Sequence, residues 1–150
     1  MLLLMMAALA GPAADVQAIR RERARSNAAI AAHRYDDMRP IQLPDYALLP
    51  GSLGKPLQGE EIGRRISTGF SDPTFVTYVR TPGRIVIASN RKRAAETGTW
   101  VGLWRKPDGE MRLSGIYQAM WVPADGGWRL QNESFVTLRC TGSRACSSVD

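Results

Sequence analysis

The sequence predicts an α+β domain in which helices come first and a long, curved antiparallel sheet follows. Three observations predict it. Apolar residues recur at helical spacing in two segments before residue 71. From Phe75 onward, apolar and polar residues alternate as they do in strands. Pro107-Asp108-Gly109 and Ala124-Asp125-Gly126-Gly127 are hairpin connections that tie the last three strands into a meander. Helices segregated from an antiparallel sheet in chain order are expected to pack on one of its faces.

The first helix is expected over residues 16 to 33, with Ile19, Arg23, Ser26 and Ile30 on one stripe and several alanines raising its propensity. Arg20, Arg21, Arg23 and Arg25 fall on the same helix. Steps of about 100° per residue spread them over half its circumference, which reads as a solvated face, with a specific anion surface the alternative. A stretch rich in proline and glycine from Pro40 to Gly59 holds two short strands, Tyr46 to Leu49 and Lys55 to Gln58. Residues 60 to 70 form the second helix: Glu60 and Glu61 suit its positive end, and Ile62, Ile66 and Phe70 recur every fourth residue. Five strands follow, at Phe75 to Val79, Ile85 to Ser89, Ala94 to Trp104, Met111 to Val122 and Trp128 to Leu138.

A chain of 150 residues with 44% apolar content can bury one core and is too short for two domains. The net charge of +6 is scattered along the sequence. Nucleic-acid binding requires basic residues gathered on one surface, so no nucleic-acid partner is expected.

The opening run MLLLMMAALA is too short to cross a bilayer, which takes about 20 apolar residues, and reads as the core of a signal peptide. Small residues stand at suitable cleavage positions, Ala8/Ala10 or Val16/Ala18. Residues 1–18 are therefore read as a signal peptide, 19–140 as the domain and 141–150 as a tail. The expected location is periplasmic or secreted, with no membrane span after signal removal. Cys140 and Cys146, with five residues between them, can close a local disulfide in an oxidising compartment. Two cysteines and the distant His33 make no metal site, and no cofactor is expected.

From Ala95 to Cys140 the order Gly98-x-Trp100, Pro107-Asp108-Gly109, Gly115-x-Tyr117 with Trp121, then Asp125-Gly-Gly-Trp128-Arg-Leu resembles the closing meander of one family. It is the SnoaL-like branch of the nuclear transport factor 2-like superfamily, of the type called domain of unknown function 4440. Upstream, Asp45 before a short strand and Gly59-Glu60-Glu61 opening a helix are similar to the family's middle section, so the resemblance covers about residues 17 to 140. It implies a cone-shaped, bent antiparallel sheet packed on N-terminal helices and enclosing a pocket, commonly in a homodimer paired through sheet faces. Many stress-related members carry a His-Asp-His-like stretch in the last strand, where Gln131-Asn132-Glu133 stands here.

Strand alternation divides Ala94 to Arg105 into two faces. The face with Glu96, Gly98, Trp100, Gly102 and Trp104 looks like a pocket wall, its glycines either leaving room for a ligand or permitting a sharp bend. Gly115, Tyr117, Ala119 and Trp121 repeat the pattern on the next strand. In the last strand Trp128, Leu130, Val136 and Leu138 make one side apolar, yet pocketed relatives commonly use the parity of Gln131, Glu133, Phe135 and Thr137. Covering of both sheet faces, one by helices and one by a second subunit, would reconcile the two, so a homodimer is expected.

Candidate ligand-binding residues are thus Trp100, Trp104, Trp121 and Phe135, with plain core packing the competing reading for Trp100 and Trp104. Candidate catalytic residues are Glu96 and Glu133 as a general acid/base pair and Tyr117 as a donor to a developing oxyanion; ion pairing of the glutamates with arginine and ordinary strand packing of the tyrosine are the alternatives. Three functions remain open: an exported domain that binds a small, partly apolar molecule; an enzyme of the isomerase, cyclase or dehydratase kind; and a basic interaction protein with a vestigial, filled cone.

Overall fold

The structure, a computed structural model, describes residues 11–149. The apolar run expected to be a signal-peptide core, residues 1–10, lies outside the described residues.

Helix α1, Pro12–Ala31, starts on a proline, whose missing N–H costs nothing in the first turn. It ends where His33 takes a left-handed φ of 54°. There the His33 N–H bonds Ile30 O and the Arg34 N–H bonds Ala29 O, each at 2.9 Å, a paired closure of the last turn. The expected start at residue 16 is four residues late: the helix includes the Val16/Ala18 position, and Asp15 in its first turn is buried. The stripe Ile19, Arg23, Ser26 and Ile30 faces inward as expected, and all four residues are buried. Arg23 therefore departs from the solvated-face reading of the arginine cluster.

Strand β1, Gln42–Leu49, and the short β2, Leu57–Gln58, form the first hairpin. Helix α2, Glu60–Phe70, has the expected bounds. Four long strands follow: β3, Phe75–Ile87; β4, Ala94–Lys106; β5, Gly109–Ala124; and β6, Gly127–Thr141. The two separate strands expected between Phe75 and Ser89 are one strand, interrupted by register shifts in place of a loop. The second of these falls at Gly83, the flexible residue of Pro82-Gly83.

All six strands form one sheet in the order β2-β1-β6-β5-β4-β3. Four of the five pairings are antiparallel, as expected, whereas β1 runs parallel to β6. The β5–β6 turn is tight because Asp125 and Gly126 both adopt left-handed φ, 51° and 74°. The sheet curls around α1, which packs on β3 and β6, and the main core lies between them around Ile19, Trp121 and Leu130.

The glycines of the meander serve the bend. A Cβ on Gly98 would stand 2.2 Å from Thr81 O, and one on Gly115 would stand 1.8 Å from Val136 O. Neighbouring backbones approach there as only glycine allows.

The parity conflict of the last strand is resolved within that strand. Leu130 pairs with Trp121 but Asn132 pairs with Met120, so Gln131 is an extra residue on β6. This bulge turns the side chains over: Trp128 and Leu130 face inward before it, and Glu133 and Phe135 face inward after it. A second subunit is not needed to explain the pattern, so that argument for a dimer falls away. Cys140 and Cys146 are joined by a disulfide with Cα atoms 5.4 Å apart, which holds the short helical turn Arg144–Ser148 against the end of β6.

Candidate functional site

Two carboxylates and two guanidinium groups lie buried where α1 crosses the concave face of the sheet. Arg23 of α1 donates from Nε to Glu96 Oε1 at 2.9 Å and from Nη2 to Glu96 Oε2 at 3.2 Å. Its Nη1 stands 2.7 Å from Glu133 Oε1, a close charge contact whose angle is not that of a hydrogen bond. Burial works against the Arg23 charge, yet Glu133 and Glu96 outweigh it and hold its pKa above the ordinary guanidinium value.

Glu96 has no unused capacity. Tyr117 donates its hydroxyl proton to Oε1 in a short hydrogen bond, and Trp121 Nε1 donates to Oε2 at 2.6 Å. The Tyr117 pKa is raised, by burial first and then by the Glu96 charge. Glu96, Tyr117 and Trp121 thus form a closed cluster with Arg23, whose guanidinium also stacks 5.2 Å from both ring centroids.

Glu133 is held differently. Tyr46 Oη donates to its Oε2 at 2.6 Å, and Arg80 Nη1 approaches the same oxygen at 3.6 Å. Burial alone would raise its pKa; Arg23, Arg80 and the Tyr46 hydroxyl outweigh burial and place it below the usual glutamate value. Arg80 of β3 is anchored by Nε on Asn27 Oδ1 at 3.2 Å and Nη2 on Ser26 Oγ at 2.7 Å, both from α1. Its pKa is lowered, by burial first and then by repulsion from Arg23.

Beyond this cluster opens a cavity of about 310 Å³ between α2, the β1–β2 hairpin and the concave sheet. Its apolar wall includes Phe70, Phe75, Tyr78, Trp100, Trp104 and Phe135, and its polar inner end is Tyr46, Arg80 and Glu133. Tyr78 stacks on Trp100 at 4.7 Å, and Phe135 meets both rings edge-on. A wall of interlocked rings around a few polar groups is the usual build of a small-molecule site.

The structure brings three of the sequence-derived ligand residues, Trp100, Trp104 and Phe135, to this cavity, together with Glu133. Trp121, Glu96 and Tyr117 lie outside the lining, in the closed cluster behind it. Sequence reasoning missed Arg80, Tyr78 and Tyr46. The alternation of Tyr78 and Arg80 on one face of β3 was a usable signal for two of them. Among the described residues no group of three or more side chains is placed to hold a metal ion.

No family model matches the sequence, and none of the curated proteins is similar to it. Solved structures are similar in fold. A candidate scytalone dehydratase from Novosphingobium aromaticivorans DSM 12444 superposes with a TM-score of 0.71 at 15% identity, over 86% of this chain and 87% of that one. The hexachlorocyclohexane dehydrochlorinase LinA-type3 from Novosphingobium barchaimii LL02 gives a TM-score of 0.69 at 12% identity, over 88% and 92%. A conserved protein from Planctomyces limnophilus DSM 3776 gives 0.70 at 19% identity, over 84% and 98%. The chain has the nuclear transport factor 2-like cone fold. Among the described residues no helix is long and apolar enough to cross a membrane.

Proposed function

We propose that the chain is an exported nuclear transport factor 2-like domain, of the SnoaL-like, domain of unknown function 4440 type, that binds a small, partly apolar molecule in its cone. One observation carries the reading: an aromatic-walled cavity whose two lining carboxylates are both already engaged. Glu133 is clamped by Tyr46, Arg23 and Arg80, and Asp72 accepts from the Thr74 N–H and hydroxyl at 2.8 Å. The order of motifs from Gly98 to Leu130 supports the branch, and the disulfide together with the apolar residues 1–10 supports a periplasmic or secreted location. Native mass spectrometry of protein from its own host tests it. A retained small molecule is expected in the native chain and is lost in Ile66→Trp, which fills the cavity from α2. No retained or competing ligand in either form overturns the reading.

An enzymatic reading draws on the names of two structural neighbours, one a dehydrochlorinase and one a candidate dehydratase. It would need Glu133 as the base. A carboxylate whose pKa is pushed down by two guanidinium groups is ionised but weakly basic, and Tyr117 is occupied by Glu96, so the binding reading is preferred. The third reading, a filled cone, fits poorly with an open hollow of this size.

Self-association is part of the same proposal. Ile116 and Val136, paired across β5 and β6, are each 49% exposed on the convex face, with Leu138 beside them. An apolar patch of this kind suits a second copy of the chain. Sedimentation should report a dimer that Val136→Lys converts to a monomer; an unchanged monomer in both removes the dimer from the proposal.

A further inference from the structure

The hydrogen-bonding character of the cavity's inner end specifies the ligand class, an inference that rests on the cavity being a binding site. The acceptors there are closed to a ligand. Glu133 Oε2 takes the Tyr46 proton at 2.6 Å, and Oε1, without a hydrogen bond of its own, is buried against the Arg23 charge at 2.7 Å. The donors are not. Arg80 uses Nε and Nη2 on Asn27 and Ser26, while its Nη1 comes no closer than 3.6 Å to Glu133, beyond hydrogen-bond reach. Tyr78, two residues before it on the same face of β3, has no partner for its hydroxyl among the described residues although its ring is wedged against Trp100 and Phe135. Both residues line the cavity, and Arg80 is only 3% exposed. Their unpaired donors open onto the cavity, where the complement they lack is an oxygen acceptor.

Charge narrows the class further. Arg23 and Arg80 are balanced one for one by Glu96 and Glu133, so the buried cluster is formally neutral. A carboxylate arriving beside Arg80 would meet the Glu133 charge with no additional cation to offset it. An ammonium group would meet the Arg80 charge and the Tyr78 hydroxyl, while Glu133 is already held by Tyr46 and Arg23. We propose that the ligand is a flat, largely apolar molecule with one neutral carbonyl-type oxygen, seated between Arg80 Nη1 and the Tyr78 hydroxyl, its body running outward past Trp104 toward Phe75.

Three probes of similar size separate the terms: acetophenone, ethylbenzene and benzoate, titrated calorimetrically into the full chain. Replacing Arg80 strands Glu133, so Tyr78→Phe, which leaves every ion pair intact, carries the test. Acetophenone is expected to bind about tenfold more tightly than ethylbenzene, and Tyr78→Phe to remove roughly fivefold of that preference while leaving ethylbenzene unchanged. The bound ketone's carbonyl stretch should move to lower frequency in the native chain and partly return in Tyr78→Phe. Equal affinities for acetophenone and ethylbenzene overturn the acceptor assignment and leave the cavity reading standing. Benzoate binding more tightly than acetophenone overturns the neutral-head assignment. Failure of all three to bind overturns the cavity reading and this inference with it.

Discussion

Arg23 and Glu96 meet through a two-pronged contact, 2.9 and 3.2 Å, at a depth where neither side chain has more than 1% of its surface exposed. It joins the first helix to the centre of the sheet. Arg23→Met leaves two carboxylates facing each other across the space the guanidinium filled, and a loss of about 3–5 kcal/mol is expected from stranding buried charge. Urea unfolding monitored by tryptophan fluorescence measures it. Arg23→Met combined with Glu96→Gln should be less damaging than the sum of the two single changes, because the pair is then removed together.

Acid and alkali should destabilise the fold through different groups. The Glu133 pKa in the folded state lies below its ordinary 4.5, so its contribution is full above that value and is lost as pH falls through the folded-state pKa. Asp15, held low by its bond with Arg91, acts in the same direction. At the other extreme burial raises Tyr46, Tyr78 and Tyr117 above their ordinary 10, so their contribution is present below that pH and is lost as pH rises beyond it. Melting temperature should fall on both flanks. Ultraviolet titration should show these three phenols silent until the chain unfolds; their normal ionisation in the folded protein would contradict the arrangement.

Gly115→Ala tests the close strand approach. The added methyl meets a backbone oxygen, which cannot rotate away as a side chain would, so a loss at the severe end of single substitutions, about 3 kcal/mol or more, is expected. Gly69→Ala, on α2 where nothing lies within 4 Å, is the control and should leave the denaturation midpoint unchanged or raise it slightly.

The start of α1 bears on processing. Arg91, at the β3–β4 turn, grips Asp15 at 2.7 and 3.0 Å, and Trp128 Nε1 donates to the same carboxylate at 3.2 Å. A chain starting at Gly11 keeps this latch; one starting at Ile19 loses it and exposes Trp128. We expect the second to melt roughly 5 °C or more below the first. On the proposed export, intact mass of the chain from its own host should place a cut after Ala10; a mature chain beginning at residue 19 would show that the latch is dispensable.

The long elements were legible because their signals are local. Residues 60 to 70 were bounded correctly by acidic residues, a four-residue apolar repeat and a closing Ser-Asp-Pro. The meander followed from its turns. Arg23 was harder to read: its place on the inward stripe was visible, but an arginine beside three others looks solvated until the carboxylates of β4 and β6, far off in sequence, come to meet it. Tyr46, Tyr78 and Arg80 escaped notice for the same reason, since each gains its chemical role from a partner on another element. The parallel pairing of β1 with β6 leaves no trace in either strand's own pattern.

The surplus residue at Gln131 lets one strand serve the core on one side of it and the hollow on the other. Without it Leu130 and Asn132 would follow one another opposite Trp121 and Met120 in plain alternation, and Glu133 and Phe135 would still point inward. What would be lost is the local kink and added twist that a surplus residue gives a strand. The chamber thus owes its curvature, and not the direction of its side chains, to that one position.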